Sequence, residues 1–249
     1  MLKLKYSFLL LICFPFISQA QYNKNTDSLK KDNRLKIAPF IIPTVFIGYG
    51  IAAGGNNPIR DLDRTTRAEL QEDHPFFSVH VDNFIQYAPA AAVYGLNLSG
   101  IKGKNDLLDA TGIYAVSMAI MTASVRIVKS QTNRIRPDGT TDNSFPSGHT
   151  ATSFAAAEFL KQEYKDVSPW IGYAGYAVAG TTGILRLYNN RHWVSDVVAG
   201  AGFGIISTKL GYFVYPHLKK LIMGKHSSNF NLSPLYQDKK AGFSFSGNF

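Results

Sequence analysis

The distribution of apolar and polar residues along the chain predicts a mostly helical core followed by a strand-like C-terminal end. A helix of about four turns is expected from Thr150 to Tyr164. Residues 242–246 alternate apolar and polar side chains with the period of a β-strand. Four further stretches, rich in alanine, glycine and aromatic residues, have helical character: Tyr87–Leu98, Leu108–Val128, Pro169–Leu185 and Val194–Tyr215.

The lengths of these helices leave two settings open, a membrane and a soluble bundle. The last apolar stretch carries small residues that let helices approach closely in either setting: Gly200, Gly202, Gly204 and Gly211. If the three longest stretches all span a membrane, Thr150–Tyr164 must cross the membrane as well. At about 1.5 Å per residue it reaches only about 22 Å, against about 30 Å of hydrocarbon. We expect membrane association, with a soluble periplasmic bundle as the alternative.

The first part of the chain has the layout of an exported protein. Lys3 and Lys5 precede the apolar run Phe8–Ile17, and residues 18–20 place small side chains where a signal peptidase cuts. We therefore expect export to the cell envelope, with the mature chain facing the periplasm. The expected divisions are a signal peptide (1–20), an N-terminal arm and helical segment (21–82), a catalytic core (83–216) and a C-terminal tail (217–249).

Composition narrows the class of partner. The 249 residues are 45% hydrophobic and only 17% charged, which excludes long disorder for most of the chain. The single cysteine, Cys13, lies in the predicted signal peptide, so the mature chain should contain no disulfide and no cysteine-ligated zinc. A formal net charge of +9 favours anionic partners. Export argues against nucleic acid as the partner. The anionic partners that remain are phosphorylated molecules and acidic lipid surfaces.

Three short clusters carry the residues on which chemistry could depend. The first joins Lys129 to Arg136-Pro137, the second is Pro146-Ser147-Gly148-His149, and the third joins Arg186 to His192 and Asp196. The three cations, Lys129, Arg136 and Arg186, fall near the ends of apolar helices, where a buried unpaired charge is costly. A shared anion would compensate all three, and phosphate suits the planar fork of arginine.

The remaining residues of the clusters supply phosphoryl-transfer chemistry. Ser147 and Gly148 come just before a predicted helix, whose first N–H groups and the serine hydroxyl would bind an anion. Asp196 follows His192 by four residues, so on one helical face it could fix the tautomer and leave the other nitrogen free to attack phosphorus. His149 could protonate the leaving oxygen. These groups need no metal and no cofactor.

In their order and spacing, the three clusters resemble the signature of the type 2 phosphatidic acid phosphatase superfamily, which includes bacterial acid phosphatases and vanadium haloperoxidases. The resemblance covers about Leu108 to Tyr215 and implies an all-α helical bundle with its site at helix ends. It implies that His192 is the nucleophile that forms a phosphohistidine, that Asp196 orients it, and that His149 is the general acid. It also implies a group of phosphate-binding residues: Lys129, Arg136, Ser147, Gly148 and Arg186.

Three positions near the clusters carry further expectations. The family often has serine before the third-cluster arginine, where this chain has Leu185. We expect this departure to weaken contacts to phosphate oxygens and to leave the nucleophile intact. Arg126 and Arg134 carry the same charge off the signature positions, so lysine at either place is expected to be nearly silent.

The sequence thus favours a metal-independent phosphatase of the cell envelope that hydrolyses phosphate monoesters or pyrophosphates, with lipid-linked substrates preferred. Three alternatives remain: a vanadate-dependent haloperoxidase, a soluble periplasmic non-specific acid phosphatase, and an idle envelope protein that only binds phosphate. The chain size and the short spacing between the clusters favour the phosphatase over the haloperoxidase. No nucleic acid is expected as a partner.

Overall fold

The computed structural model describes residues 37–223, 231–237 and 240–246, which form eight α-helices followed by two β-strands. The predicted signal peptide and most of the following arm lie outside the described residues. The helices are α1 (Ala38–Ala52), α2 (Pro58–Asp73), α3 (Asp82–Ile85), α4 (Ala88–Leu98), α5 (Leu107–Thr132), α6 (Gly148–Tyr164), α7 (Pro169–Tyr188) and α8 (Val194–Met223). The strands are β1 (Asn231–Gln237) and β2 (Lys240–Ser246).

The predicted all-α fold class is confirmed for the core of the described chain. The four apolar stretches and the helix from Thr150 fall within α4 to α8, with end differences of a few residues. The largest difference is at the end of α8, which continues beyond Tyr215 and through Pro216. The predicted domain boundaries stay predictions.

The C-terminal end contains a two-stranded antiparallel sheet rather than a lone strand. Asn231 pairs with Ser246 at one end, and Gln237 pairs with Lys240 at the other. The predicted strand lies within β2, whereas β1 was not expected. Its sequence contains Pro234, and proline lacks the N–H that a strand ladder uses.

Local signals at two helix ends direct the chain into the site. Asn57 caps α2 by accepting hydrogen bonds from the N–H groups of Ile59 (3.0 Å) and Arg60 (3.2 Å), ahead of Pro58 in the first turn. α5 ends at Asn133, whose φ of 43° is left-handed and stops the helix. The chain therefore turns one helical turn after Lys129.

Helix α6 forms the centre of the molecule, and close helix contacts hold the others around it. It packs against α4, α5, α7 and α8, and its buried side chains include Ala155, Ala156 and Phe159. A Cβ added to Gly200 of α8 would lie 2.6 Å from the carbonyl oxygen of Ser147. Only glycine permits that approach, so the expected role of small residues in α8 is confirmed at this position.

Two of the described helices are long and apolar enough to cross a membrane, α5 over its full length and α8 over Val194–Ile222. α7, which the sequence left open as a possible span, is not among them. Only 22% of the apolar window of α5 is buried inside the protein, against 50% for α8. The C-terminal end of α5 and the N-terminal end of α8 both carry predicted site residues.

Candidate active site

The eight predicted site residues gather where four helix ends meet. The last turns of α5 and α7 and the first turns of α6 and α8 supply five of them. The segment between α5 and α6 supplies Arg136 and Ser147, and the segment between α7 and α8 supplies His192. In chain order they are Lys129, Arg136, Ser147, Gly148, His149, Arg186, His192 and Asp196. The charged members lie close to one another. The cations of Arg186, Arg136 and Lys129 each lower the pKa of His149.

The nucleophile expected from sequence, His192, is 3% exposed and is held on one edge of its ring. Its Nδ1 lies 3.5 Å from Oδ2 of Asp196 and 3.4 Å from Oγ of Ser144. The expectation that His192 and Asp196 share a helical face is wrong, since α8 begins only at Val194. They meet because the Asp196 carboxylate folds back over the helix start and accepts the N–H of Trp193 (2.9 Å).

Asp196 is fully buried and has polar partners on both oxygens. Oδ2 also accepts a hydrogen bond from the Ser144 hydroxyl (2.5 Å), and Oδ1 accepts one from Nη1 of Arg134 (2.8 Å). The Asp196 carbonyl oxygen accepts the N–H of Ser147 (3.0 Å), which ties the start of α8 to the start of α6. The carboxylate predicted to orient His192 is therefore itself held by groups from three parts of the chain.

Arg134, which the sequence placed outside the site, contacts a site residue directly. Its guanidinium donates to Asp196 through Nη1 and to Asp63 through Nη2 (2.7 Å), so it bridges two buried carboxylates. Lysine has one ammonium group and cannot reproduce this fork. The expectation that Arg134→Lys is nearly silent does not fit this placement. Arg126 is exposed on α5 and remains a suitable control.

Two of the three predicted phosphate-binding cations carry buried donors without an acceptor. The Nε atoms of Arg136 and Arg186 are buried, and neither has a hydrogen-bond partner within the described residues. Arg186 uses its other edge, where Nη1 donates to Oδ2 of Asp82 (2.6 Å). The Lys129 ammonium donates to the backbone carbonyl oxygens of Asn143 (2.5 Å) and Ser144 (3.5 Å).

The predicted general acid, His149, is held by a residue that sequence reasoning missed. Its Nε2 lies 2.8 Å from Oδ1 of Asn83, which follows Asp82 at the start of α3. Two neighbouring residues of one short helix thus contact two groups of the site. No spacing or motif in the sequence marks Asp82 or Asn83, because they stand at the end of a charged stretch, 56–82, whose pattern is typical of a solvated loop with a helix.

Burial controls the protonation of both imidazoles. It lowers the pKa of His192 to about 4, although Asp196 acts to raise it. Burial, reinforced by the cation of Arg186, also lowers the pKa of His149 to about 4. Both rings are therefore neutral at pH 7 in the ligand-free protein.

The start of α6 leaves room and donors for an anion. A Cβ built on Gly148 would meet no protein atom within 4 Å, so the space in front of it is open. The Ser147 hydroxyl is buried and accepts a hydrogen bond from Thr150 (2.9 Å), which leaves its own proton available to an acceptor. Among the described residues, no group of three or more His, Cys, Asp or Glu is placed to hold a metal ion.

Comparisons with known proteins match the part of the chain that contains the site. Residues 110–220 match the family model of the PAP2 superfamily. A stretch of 139 residues, 55% of this chain, is 45% identical to the Lipid A 1-phosphatase of Porphyromonas gingivalis and covers 31% of that protein. Another, of 77 residues and 31% of this chain, is 32% identical to the bacitracin transport permease protein BcrC of Bacillus licheniformis and covers 36% of it. The chain thus spans about a third of the length of these relatives.

Two solved structures are similar in outline. One is a transmembrane PAP2 type phosphatidylglycerolphosphate phosphatase from Bacillus subtilis, with a TM-score of 0.49 and 17% identity over 74% of this chain and 99% of that one. The other is LpxE of Aquifex aeolicus, with a TM-score of 0.43 and 22% identity over 58% of this chain and 93% of that one.

Proposed function

We propose that this chain, whose residues 110–220 match the PAP2 superfamily, is a metal-independent phosphatase that hydrolyses lipid-linked phosphate esters in the cell envelope. The observation that carries the proposal is the pair of buried Nε donors on Arg136 and Arg186. A buried polar group without a partner is costly, and a charged one is costlier. A phosphate group between these donors would satisfy both and would balance the charge of Lys129.

The first chemical step is attack by His192 on phosphorus. Its Nδ1 faces Asp196 and Ser144, so Nε2 is the nitrogen left to attack, and burial keeps it neutral. The new P–N bond forms as the bond from phosphorus to the leaving oxygen breaks. His149 donates a proton to that oxygen, and the ring of His192 carries a positive charge that Asp196 stabilises.

The second step returns the enzyme to its starting state. Water attacks phosphorus, the P–N bond breaks, and His149 accepts the proton that water loses. The cations Lys129, Arg136 and Arg186 balance the charge of the phosphoryl oxygens throughout. Because the dianionic phosphate offsets these cations, binding of substrate should raise the pKa of His149 from its ligand-free value and prepare it to act as an acid.

The proposal of a lipid-linked substrate rests on the surface around the site and on one relative. The C-terminal end of α5 and the N-terminal end of α8 lie at the site. If these two helices cross a membrane, the site lies at the membrane surface. The segment that holds His149 through Asn83 also exposes two large apolar side chains, Phe76 (95%) and Phe84 (76%). The similar protein from Porphyromonas gingivalis is named as a phosphatase of lipid A. We extend its substrate class, a phosphorylated lipid, to this chain.

The test is a phosphate-release assay on the purified, detergent-solubilised protein. Substrates would be a nitrophenyl phosphate, a short-chain soluble phosphate ester, and phosphorylated lipids in mixed micelles. We expect turnover of the lipids with a higher kcat/KM than of the soluble alkyl ester, and none with His192→Ala. Faster turnover of the soluble ester would contradict the lipid-linked substrate and support a general acid phosphatase.

Two further measurements separate the remaining alternatives. Vanadate with peroxide and halide should yield no oxidised halide, and its appearance would support a haloperoxidase. Export and a periplasm-facing site are part of the proposal, supported by the N-terminal pattern at Lys3, Lys5 and Phe8–Ile17. Cell fractionation, with protease added outside intact spheroplasts, tests both.

A further inference from the structure

We propose that Asp63, on α2, is a positioning residue of this site that acts through Arg134 to hold Asp196 in the orientation His192 requires. This inference deepens the proposed function and rests on it. Asp63 lies 47 residues ahead of the family match, which begins at residue 110, and it belongs to no signature cluster.

The burial of Asp63 is unusual for its helix. α2 is mostly polar, and the neighbouring Asp61 is 70% exposed and forms its one ion pair among the described residues with Arg64, at 3.9 Å. Asp63, by contrast, is 1% exposed. A carboxylate so deeply buried is stable only when its oxygens are hydrogen-bonded and its charge is paired.

Arg134 links Asp63 to the candidate catalytic pair. Nη2 of Arg134 lies 2.7 Å from Oδ2 of Asp63, and Nη1 lies 2.8 Å from Oδ1 of Asp196. The guanidinium also packs over the Trp193 ring, with its central carbon 5.7 Å from the ring centroid. A planar group held at both nitrogens and on one face has a single orientation, so it passes the position of Asp63 to Asp196.

Asp63 also holds the backbone on which Asp196 stands. Its Oδ1 accepts the N–H of Ser195 (2.9 Å), and its Oδ2 accepts the Ser195 hydroxyl (2.5 Å). The N–H of Ser195, one residue before Asp196, lies in the first turn of α8 and has no acceptor within the helix, so Asp63 supplies one. The side chain and the backbone of Asp196 are thus both fixed from α2.

Charge explains why Asp63 should affect turnover more than substrate binding. Arg134 shares one positive charge between two carboxylates, so Asp196 retains negative charge for the imidazolium that forms when His192 is phosphorylated. Without the charge of Asp63, Arg134 would neutralise Asp196 more fully. The loss would fall on the transition state, whereas the phosphate-binding cations on the other side of the site would be untouched.

The test is Asp63→Asn in the full-length, detergent-solubilised protein, assayed on a nitrophenyl phosphate. The amide can keep the bond from the Ser195 N–H but loses the ion pair with Arg134. We expect kcat to fall roughly 10–100-fold, by analogy with the outer-shell partners that orient metal-ligating histidines, with KM unchanged. Asp61→Asn, two residues away on the same helix, should match the wild type in both constants.

A double-mutant cycle distinguishes positioning from simple destabilisation. If Asp63 acts through Arg134, Asp63→Asn should lower kcat far less in an Arg134→Gln background than in the wild type. The melting temperature and the yield of trapped phosphoenzyme would give the folded, active fraction of each variant. Additive losses in kcat, or a loss explained by the unfolded fraction, would overturn the inference.

The two proposals can fail separately. A wild-type protein without turnover on any phosphate ester would remove the proposed function, and this inference with it. An active wild type together with an equally active Asp63→Asn variant would contradict only the positioning role.

Discussion

The two sides of the site use the same kinds of charged residue in opposite ways. On the side of His192, the carboxylates of Asp63 and Asp196 are hydrogen-bonded inside the protein. They lie 2.5–2.9 Å from hydroxyl groups, backbone N–H groups and the guanidinium of Arg134. On the other side, Arg136 and Arg186 each keep a buried Nε without an acceptor among the described residues. We call the first the saturated side, and the second, where we propose that phosphate binds, the receptor side.

The difference shows that partners, more than charge, separate a scaffold from a receptor. Arg134 and Arg136 are two residues apart and carry the same group. One is 2.8 Å from a buried carboxylate, and the other has no ion pair in the described part of the chain. An arginine whose terminal nitrogens are held by protein carboxylates fixes its neighbours in place, whereas one that keeps an unpaired buried donor can bind a ligand.

The largest expected effect comes from removing the nucleophile on the saturated side. His192→Ala should lower turnover by at least about 10⁴-fold, because no other described nucleophile is placed to replace it. Rapid-quench labelling with a radioactive phosphate ester should trap a phosphoenzyme in the wild type and none in the variant. Asp196→Asn should keep a fraction of the activity, since the imidazole remains while its orientation is less well held. A labelled His192→Ala protein would refute the assignment.

The next effect should depend on the substrate. If His149 is the general acid, His149→Ala should lose about 10²–10⁴-fold towards alkyl phosphates. The same variant should keep more activity towards a nitrophenyl ester, whose leaving group departs without a proton. Steady-state rates on the two esters provide the measurement, and equal impairment on both would remove His149 from that role.

Smaller losses are expected on the receptor side. Arg136→Lys and Arg186→Lys each keep the charge but lose the spare Nε donor, at a cost of about 2–3 kcal/mol in transition-state binding. This corresponds to roughly 30–150-fold in kcat/KM. Arg126→Lys, at an exposed position on α5, is the matched control and should be silent. If all three variants behaved alike, the unpartnered donors would not be the phosphate contacts.

Acid should weaken the folded protein through both imidazoles. Their folded-state pKa values, about 4, lie below the ordinary value of about 6.5, so between these pH values the unfolded chain binds more protons. The free energy of unfolding should therefore be highest above pH 6.5 and fall as the pH drops towards 4. Thermal unfolding in detergent would measure it. His192→Gln should reduce the slope.

The smallest expected effect is that of a chelator. If the receptor side binds phosphate with Lys129, Arg136 and Arg186 alone, EDTA should leave the rate of phosphate release unchanged. Vanadate, which resembles the five-coordinate transition state, should inhibit competitively. A rate lost in EDTA and restored by a divalent cation would contradict the metal-independent mechanism.

How much the sequence could predict differs between the two sides. The receptor residues were predicted from cations at helix ends and from cluster order, and the structure places them together. The saturated side was predicted only at His192 and Asp196, because Asp63, Ser144 and Ser195 carry no periodic or motif signal. Asp63 lies on a charged helix beside Asp61, and only the packing of α2 against α8 tells the two apart. Buried partners that come from distant positions cannot be identified from spacing.

The contacts of Asp63, Asp82 and Asn83 bear on how genomes are searched for working enzymes. A fragment cut to residues 110–220 would keep all eight signature residues and would still match the family. It would also leave Arg134, Arg186 and His149 without the side chains that now hold them at 2.7, 2.6 and 2.8 Å. We therefore expect that a gene which keeps the motif but lacks these upstream partners encodes an inactive protein, and the residues upstream of the motif should be inspected as well.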